Sequence, residues 1–257
     1  MKIISCYKWV LDEADLQIDP TSHSLLKERA KYKISEYDKN AIECGVQLVE
    51  DQGGEVIALT VGADQVKNSL KEALSRGPER AVYVKDPVME QADSNVTAKI
   101  LAAAVQHVKD IDLVICGEGS SDEYAQQVGP RIAQLLGLPV ITFVNKVTIS
   151  NGVLHAERKV DEGIEVVEAS LPAVITVLPE INEPRIPSLK QILASKKKPV
   201  EELTTESFGI VETDRINKLC RKQVVGTVME RKNIKFQGEV QDIVSKTVDV
   251  LKREGFC

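Results

Sequence analysis

The residues best suited to bind a ligand lie in one glycine- and serine-rich turn near the middle of the chain. Residues 111–131 read IDLVICGEGSSDEYAQQVGPR. The apolar run at residues 111–116 is typical of a buried strand, and a helical pattern begins after the turn. In an α/β sheet, this succession of strand, small-residue turn and helix start presents free backbone N–H groups to an anion. The chemistry indicated is binding of a phosphate or pyrophosphate at the carboxyl end of a strand.

The same turn has a simpler interpretation as a purely structural connection. Gly117 and Gly119 would permit a tight turn, and Ser121 or Asp122 would cap the helix. The segment matches neither the P-loop spacing nor the GxGxxG fingerprint. Asp122 and Glu123 would also repel a phosphate brought close to them. Taken alone, the segment favours the structural turn, so the rest of the chain has to decide.

Composition and charge exclude several classes of function. The chain has 257 residues and a net charge of −6, which gives no electrostatic basis for binding nucleic acid. No stretch has the ~20 apolar residues of a membrane span, and the N-terminus lacks a signal-peptide pattern, so we expect a cytoplasmic protein. The three histidines are widely separated and no CxxC pair occurs, so neither a metal site nor a catalytic cluster is predicted. The cysteines, expected to be reduced thiols, are Cys6, Cys44, Cys116, Cys220 and Cys257.

Apolar runs alternate with helical patterns over the first two thirds of the chain. Five buried strands are predicted at residues 2–8, 55–61, 80–84, 111–116 and 140–144. Helices of a length that suits right-handed crossovers lie between them, so we predict an α/β fold with a parallel, Rossmann-like sheet covered by helices on both faces. The turn signal Ser150-Asn151-Gly152 adds an antiparallel hairpin extension.

Two predicted helices are relevant to this turn: one over residues 37–52 and one that begins after the turn. Ser35 and Asp38 stand three residues apart at the start of a helix predicted over 37–52, an approximate capping-box spacing. The helix after the turn should bury one apolar stripe, because its apolar residues recur at three- and four-residue steps. That stripe consists of Val128, Ile132, Leu135 and Leu136.

The composition changes after residue 183. Prolines at 184 and 187 rule out regular structure there, and a short helix is predicted over 189–195. Residues 200–257 are polar, apart from an amphipathic pattern near the end, and cannot build a core of their own. We therefore predict three parts: residues 1–183, residues 184–199, and a C-terminal arm at 200–257 that packs on another protein.

Five stretches, in this order, resemble the β subunit of electron transfer flavoproteins, the partner of a larger α subunit that carries FAD. The resemblance covers essentially the whole chain. Its segments are Cys6-Tyr7-Lys8-Trp9-Val10, residues 35–43 (SEYDKNAIE), Leu59-Thr60-Val61-Gly62, residues 117–129, and Asn182-Glu183-Pro184-Arg185 with the lysine-rich run to Lys198.

The resemblance implies an adenine nucleotide held by its phosphates at the turn, with no residue acting as a catalytic acid, base or nucleophile. Two departures from the family pattern stand out: Glu123 replaces a glycine, and Ala125 replaces a threonine whose hydroxyl could contact phosphate. The residues implied to bind the nucleotide are Cys6, Ser35, Tyr37, Val61, Ser120, Ser121, Asp122, Tyr124, Ala125, Gln126, Gln127, Val128 and Gly129.

Two versions of the family differ in what fills this site. One holds AMP as a structural ligand, and the α-subunit FAD does the redox work. The other holds a second FAD and bifurcates electrons from NADH, one to ferredoxin or flavodoxin and one to the α-subunit FAD. The DEYAQQVG form at 122–129 resembles the subgroup associated with anaerobic carnitine- or enoate-type reduction, which favours FAD here.

The resemblance also assigns a role to the segment after residue 183. In the family it docks an acyl-CoA dehydrogenase, here one of the dehydrogenase or enoyl-CoA reductase type, through a leucine that matches Leu189. Lys196, Lys197 and Lys198 would steer the partner. Helical periodicity alone instead favours a Leu189 that packs inward.

The arm at 200–257 would pack on the α subunit of an obligate heterodimer. An alternative of a different class is a stand-alone nucleotide-binding protein of the universal-stress type, which has a similar sheet. Such a domain would end near residue 178 and would need no extension, so the arm favours the flavoprotein subunit.

Overall fold

The computed structural model describes residues 1–227 and 231–256. The strands are β1 (Lys2–Cys6), β2 (Trp9–Leu11), β3 (Gln17–Ile18), β4 (Leu25–Leu26), β5 (Tyr32–Ile34), β6 (Glu55–Gly62), β7 (Arg80–Lys85), β8 (Leu113–Gly117), β9 (Val140–Ser150), β10 (Val153–Val160), β11 (Gly163–Ser170), β12 (Ala173–Val177) and β13 (Val200–Thr204). The helices are α1 (Glu36–Gln52), α2 (Leu70–Ser75), α3 (Ser94–Val108), α4 (Val128–Leu136), α5 (Leu189–Ser195) and α6 (Val240–Arg253).

Within the described residues, nine strands form one sheet in the order β11-β10-β9-β12-β8-β1-β6-β7-β13. The strands from β9 to β13 in this order run parallel, and β10 and β11 continue the sheet as an antiparallel hairpin. Two small pairs, β2 with β5 and β3 with β4, lie outside it. The predicted α/β fold with a hairpin extension is confirmed.

The strand order reverses direction beside β1. From β1 the chain proceeds to β6 and β7 on one side, and then returns to β8 on the other. Loops that leave β1 and β8 at their carboxyl ends therefore diverge and open a crevice. In open α/β sheets, ligands bind at such a switch point.

Helices cover both faces of the sheet and bury its apolar strands. One core cluster joins α3 and α4 to β1, β6, β7 and β8, with Ile100 and Ile132 fully buried. On the other face, α1 packs on β1 and β8, and α2 packs near Tyr83 of β7. This double burial explains why the strands are continuous apolar runs rather than alternating ones.

Several elements differ from the sequence-based predictions. Leu135 was predicted to lie in the buried stripe of α4, but it is 47% exposed; Ala133 is buried instead. The helix predicted between β6 and β7 begins as a 3-10 helix, Asp64–Ser69, and becomes α-helical only at Leu70. The strand β13 was not predicted, and it pairs in parallel with β7 at the sheet edge.

The chain divides into two compact units. The first contains Met1–Gln17 and Leu26–Gln223, so it continues past the boundaries expected at residues 183 and 199. The second contains Ile18–Leu25 and Val224–Cys257, and within it the Gly226 N–H donates to the His23 carbonyl. Residues 228–230 and 257, which belong to the expected arm, lie outside the described residues. No helix in the described part of the chain is long and apolar enough to cross a membrane.

Candidate nucleotide site

The first helix is tied to both walls of the crevice by two polar side chains. Asp38, which is buried, accepts the Lys8 N–H after β1 at 2.8 Å and the Gly117 N–H at the end of β8 at 3.2 Å. Ser35 is also buried, and its hydroxyl accepts the Ser121 N–H at 3.2 Å. The expected capping box does not form, because both side chains bind distant loop N–H groups instead of those of their own helix.

Burial raises the pKa of Asp38 to about 7, even though its two N–H donors and the nearby Lys8 ammonium favour the ionised form. The carboxyl group therefore titrates in the neutral range. Because Asp38 lies beneath the loop, the charge at this point of the site changes with pH near neutrality.

The acidic residues of the loop are neutralised by two cations. Lys8 lies 2.7 Å from Asp122 and 3.8 Å from Glu123, and Arg221 also pairs with Glu123. The repulsion expected between Asp122, Glu123 and a phosphate is reduced by these contacts. Because the pairs are largely exposed, each Lys8 contact is also free to rearrange at low energetic cost.

The loop backbone presents N–H groups ahead of α4. Tyr124 and Gln126 have left-handed φ angles of 45° and 58°, and Gln127 returns to the right-handed region. Alternation of this kind turns successive N–H groups into a concave anion-binding nest. The helix starts at Val128 without a side-chain cap. Among the described residues, the N–H groups of Gln126, Gln127 and Val128 have no recorded acceptor, so they remain free to bind an anion.

Two contacts fix the direction of this nest. The side-chain oxygen of Gln127 accepts the Ser94 hydroxyl at 2.9 Å and the Arg131 guanidinium at 2.9 Å. The side chain of Gln127 is thus held by the start of α3 and by α4 itself. The Ser121 hydroxyl oxygen is buried and has no hydrogen-bond partner among the described residues, which leaves one further polar group for a ligand.

Close packing, rather than a positive φ, requires the glycines of this loop. A Cβ on Gly117 would lie 2.5 Å from an Asp38 oxygen, and one on Gly119 would lie 2.4 Å from the Tyr124 ring. A Cβ on Gly129 would lie 2.4 Å from Cγ2 of Thr176. The start of α4 therefore lies directly against β12. The expectation that Ser121 or Asp122 caps this helix is wrong, because its N-cap is Gln127 and no side chain caps it.

Four other residues predicted to bind the nucleotide lie at the same carboxyl edge of the sheet, two on each of its faces. Tyr37 and Tyr124 contact each other with ring centroids 5.2 Å apart, on the α1 side. Cys6 and Val61 lie with Cys116 in the cluster on the α3–α4 side. The adjacent Cys6 thiol and burial raise the pKa of Cys116, so this thiol stays protonated and behaves as an apolar group.

A second buried acid lies on the β12 side of this edge. Glu118 accepts the Thr176 hydroxyl at 2.5 Å and the Phe143 N–H at 3.0 Å. Burial raises the pKa of Glu118, and the Thr176 hydrogen bond opposes that shift. Phe143 has a left-handed φ of 59°, so the N–H that Glu118 accepts lies at an irregularity of β9.

The predicted docking segment, residues 184–199, is attached to α1 at its start and exposes apolar side chains further on. Asn40 and Asn182 exchange reciprocal hydrogen bonds, and Arg185 pairs with Glu43 at 2.7 Å and with Glu50 at 2.8 Å. Beyond these contacts, Leu189 is 72% exposed, so it does not pack inward as periodicity alone predicted. The other exposed apolar side chains here are Ile186, Ile192 and Leu193.

The three lysines that follow are not equivalent. Lys196 and Lys197 are exposed, as steering residues would be. Lys198 instead donates to the carbonyls of Leu74, Gly77 and Pro78 at 3.0, 2.9 and 2.6 Å. Its ammonium therefore satisfies carbonyls at the end of α2, and the steering role of Lys198 stays a prediction.

Sequence reasoning missed Lys8 and Arg221 at the loop, and it gave Asp38 only a capping role. Asp38 was visible as part of SEYD, but nothing local showed that its partners lie 30 and 79 residues away. No signal marked Arg221. Within the described residues no group of metal-binding side chains occurs.

The sequence model of the electron transfer flavoprotein domain family matches residues 23–207. The chain belongs to this family. The match spans α1, β8, the loop before α4 and the docking segment, whereas β1 and Lys8, on the other wall of the crevice, precede it. Membership associates the chain with electron transfer and with flavin.

Proposed function

We propose that this chain is the β subunit of a heterodimeric electron transfer flavoprotein and binds an adenine nucleotide in the crevice between β1 and β8. One observation carries the proposal: at the uncapped start of α4, the N–H groups of Gln126, Gln127 and Val128 have no acceptor within residues 1–227 and 231–256. A phosphate or pyrophosphate is the natural ligand for such a group of donors. The Ser121 hydroxyl, which has no hydrogen-bond partner in the described part of the chain, and the pairing of Asp122 with Lys8 also fit an anionic ligand.

We propose FAD as the nucleotide, with a second FAD on the α subunit. The supporting observation is the DEYAQQVG sequence at 122–129, which resembles the subgroup associated with anaerobic carnitine- or enoate-type reduction. The flavins supply the redox chemistry, which is bifurcation of electrons from NADH toward ferredoxin or flavodoxin and an acyl-CoA dehydrogenase or enoyl-CoA reductase. This chain supplies binding, orientation and the electrostatic environment. AMP in the same site, without bifurcation, is the alternative.

Two further surfaces belong to the proposal. The docking segment, residues 184–199, would receive the acyl-CoA partner at the exposed Leu189, with Lys196 and Lys197 steering the encounter. The C-terminal residues would pack on the α subunit, because α6 carries an apolar stripe of which Val240 and Val244 are largely exposed.

The test is the cofactor content of the co-expressed heterodimer, released by denaturation and separated. Two FAD per heterodimer without AMP would support bifurcation, whereas one FAD and one AMP would support the structural alternative. A chain that is a stable monomer and retains ATP would contradict the subunit proposal and favour a universal-stress-type protein.

A further inference from the structure

A buried acid beneath the nucleotide loop has no part in the proposed electron transfer. Asp38 is 7% exposed, and its two carboxylate oxygens accept from different segments, Lys8 after β1 and Gly117 at the end of β8. These segments are the two walls of the crevice. A single buried side chain on α1 therefore links the two walls, which the half-exposed Lys8–Asp122 ion pair also joins.

We propose that Asp38 is a positioning residue for the nucleotide: its ionised carboxylate holds the segment after β1 against the start of the loop after β8. The inference rests on the proposed function, since it concerns the same site. A second, uncharged link runs parallel to it, from the Ser35 hydroxyl to the Ser121 N–H. The Asp38 link contains an ionisable group and the Ser35 link does not. Protonation can therefore break the first link but not the second.

Protonation changes what Asp38 can accept. An ionised carboxylate is an acceptor on both oxygens, whereas a protonated carboxyl turns one oxygen into a donor and leaves one of the two N–H groups without its partner. The groups that face Asp38 are Lys8, whose charge opposes protonation, and Asp122 and the Cys116 thiol on the β8 side. Because burial raises the pKa of Asp38 to about 7, this change falls between pH 6 and pH 8.

The test measures FAD affinity of the co-purified complex, stripped of nucleotide, at pH 6, 7 and 8. The pyrophosphate of FAD stays ionised over this range, so the ligand charge does not change. If only the ionised form of Asp38 supports binding, affinity should be about tenfold weaker at pH 6 than at pH 8. Asp38→Asn should bind more weakly than the unmodified protein at pH 8, because an amide offers only one acceptor, and it should respond little to pH.

Two control variants separate the protonation of Asp38 from other causes of weaker binding. Ser35→Ala removes the uncharged link, so it should weaken binding at every pH and keep the pH response. Glu118→Gln removes a second buried acid of this edge and should leave the pH response as in the unmodified protein. A pH response that persists in Asp38→Asn, or that disappears in Glu118→Gln, would overturn the proposal. Tighter binding at pH 6 would overturn it too, because the anionic ligand would then favour a protonated Asp38.

If Asp38→Asn does not fold, amide hydrogen exchange of the unmodified protein provides the test instead. In the unmodified protein, the Lys8 and Gly117 amides should be less protected at pH 6 than at pH 8, after correction for intrinsic exchange rates. Equal protection would overturn the link. If the unmodified complex binds neither FAD nor AMP at any pH, the proposed function fails, while the exchange result still decides whether Asp38 holds the two walls.

Discussion

The nucleotide loop and the docking segment are held by the same helix in different ways. The first turn of α1 holds the loop through Ser35 and Asp38, which accept main-chain N–H groups and are buried. The middle of α1 holds the docking segment mainly through an ion-pair cluster, in which Glu43 and Glu50 bind the Arg185 guanidinium. Asn40 adds hydrogen bonds to the main-chain carbonyl and the side-chain oxygen of Asn182. One helix thus sets the relative positions of a concave polar site and a convex apolar one.

The difference shows what each surface needs. A phosphate site needs N–H groups fixed in direction, and main-chain hydrogen bonds to buried acceptors provide that. A docking surface needs exposed apolar side chains on a stable base, and an arginine ion pair beneath the segment provides the base without covering Leu189. Variants that remove one set of contacts should therefore leave the other function largely intact.

The largest effect is expected from blocking the start of α4. Gly129→Ala would place a methyl group 2.4 Å from Cγ2 of Thr176, so the helix start and its N–H groups must move. Overpacking of this kind costs roughly 1–3 kcal/mol, and we expect FAD affinity to fall at least tenfold, as measured by calorimetric titration.

Thr176→Ser is the matched compensation, because it removes the clashing methyl group and keeps the hydroxyl that donates to Glu118. The double variant should regain most of the affinity. A folded Gly129→Ala protein that binds FAD as well as the unmodified one would contradict the phosphate site, and dehydrogenase docking should be unchanged in either case.

The second effect concerns the base of the docking segment. Arg185→Ala leaves the carboxylate of Glu43, which is 5% exposed, without its partner. Loss of one member of a buried ion pair costs roughly 3–5 kcal/mol; we expect about 2–3 here because Arg185 is partly solvated. Urea unfolding measures this loss, and FAD affinity should stay within twofold.

Lys67→Ala is the control for a simple loss of charge. Its ion pair with Glu202 is exposed on both sides, at 58% and 40%, so its removal should cost at most about 0.5 kcal/mol. If the two variants were equally destabilised, the ion pairs of Arg185 would contribute no more to the free energy of unfolding than an ordinary surface pair.

The third effect tests the anchor itself. Leu189→Ala should slow electron delivery to the acyl-CoA partner by tenfold or more, because anchor residues at interfaces are worth about 2 kcal/mol or more. Unfolding free energy should change by less than about 0.5 kcal/mol, since the side chain is 72% exposed. Ile164→Ala, at a 59% exposed position on β11, is the control and should not slow delivery. Loss of the heterodimer in Leu189→Ala would make the residue structural.

The sequence predicted the elements of both regions better than their contacts. The helix expected over 37–52 is α1, and the short helix over 189–195 is α5, because local periodicity and prolines define them. Periodicity cannot show that Asp38 binds Lys8 and Gly117, since those partners arrive only when β1 and β8 become neighbours.

The strand β13 was missed for the same physical reason. Its residues alternate weakly, and three of the five are polar, so the segment was assigned to the arm that packs on another protein. Parallel pairing with β7 supplies the stabilisation, and that pairing joins segments more than a hundred residues apart. The identity of the flavoprotein family came from ordered motifs instead, which do not depend on knowing the contacts.

The smallest effect separates two adjacent lysines of the docking segment. Lys198→Met removes the ammonium that donates to the carbonyls of Leu74, Gly77 and Pro78 while keeping an apolar stem of similar length. Hydrogen bonds from a charged group that are left unmade cost about 1–2 kcal/mol after partial replacement by water, so urea unfolding should show a loss in that range. Its effect on the partner's association rate should be small.

Lys197→Met should do the reverse, because its ammonium is exposed and contributes to the field that a partner meets first. Stability should change by less than about 0.5 kcal/mol, and the association rate with the acyl-CoA partner should fall severalfold at low salt and less at high salt. If Lys198→Met slowed association and Lys197→Met did not, the steering role would belong to Lys198 despite its three carbonyl contacts. The docking segment would then open when the partner binds, and the contrast between a fixed base and an exposed surface would apply only to the free protein.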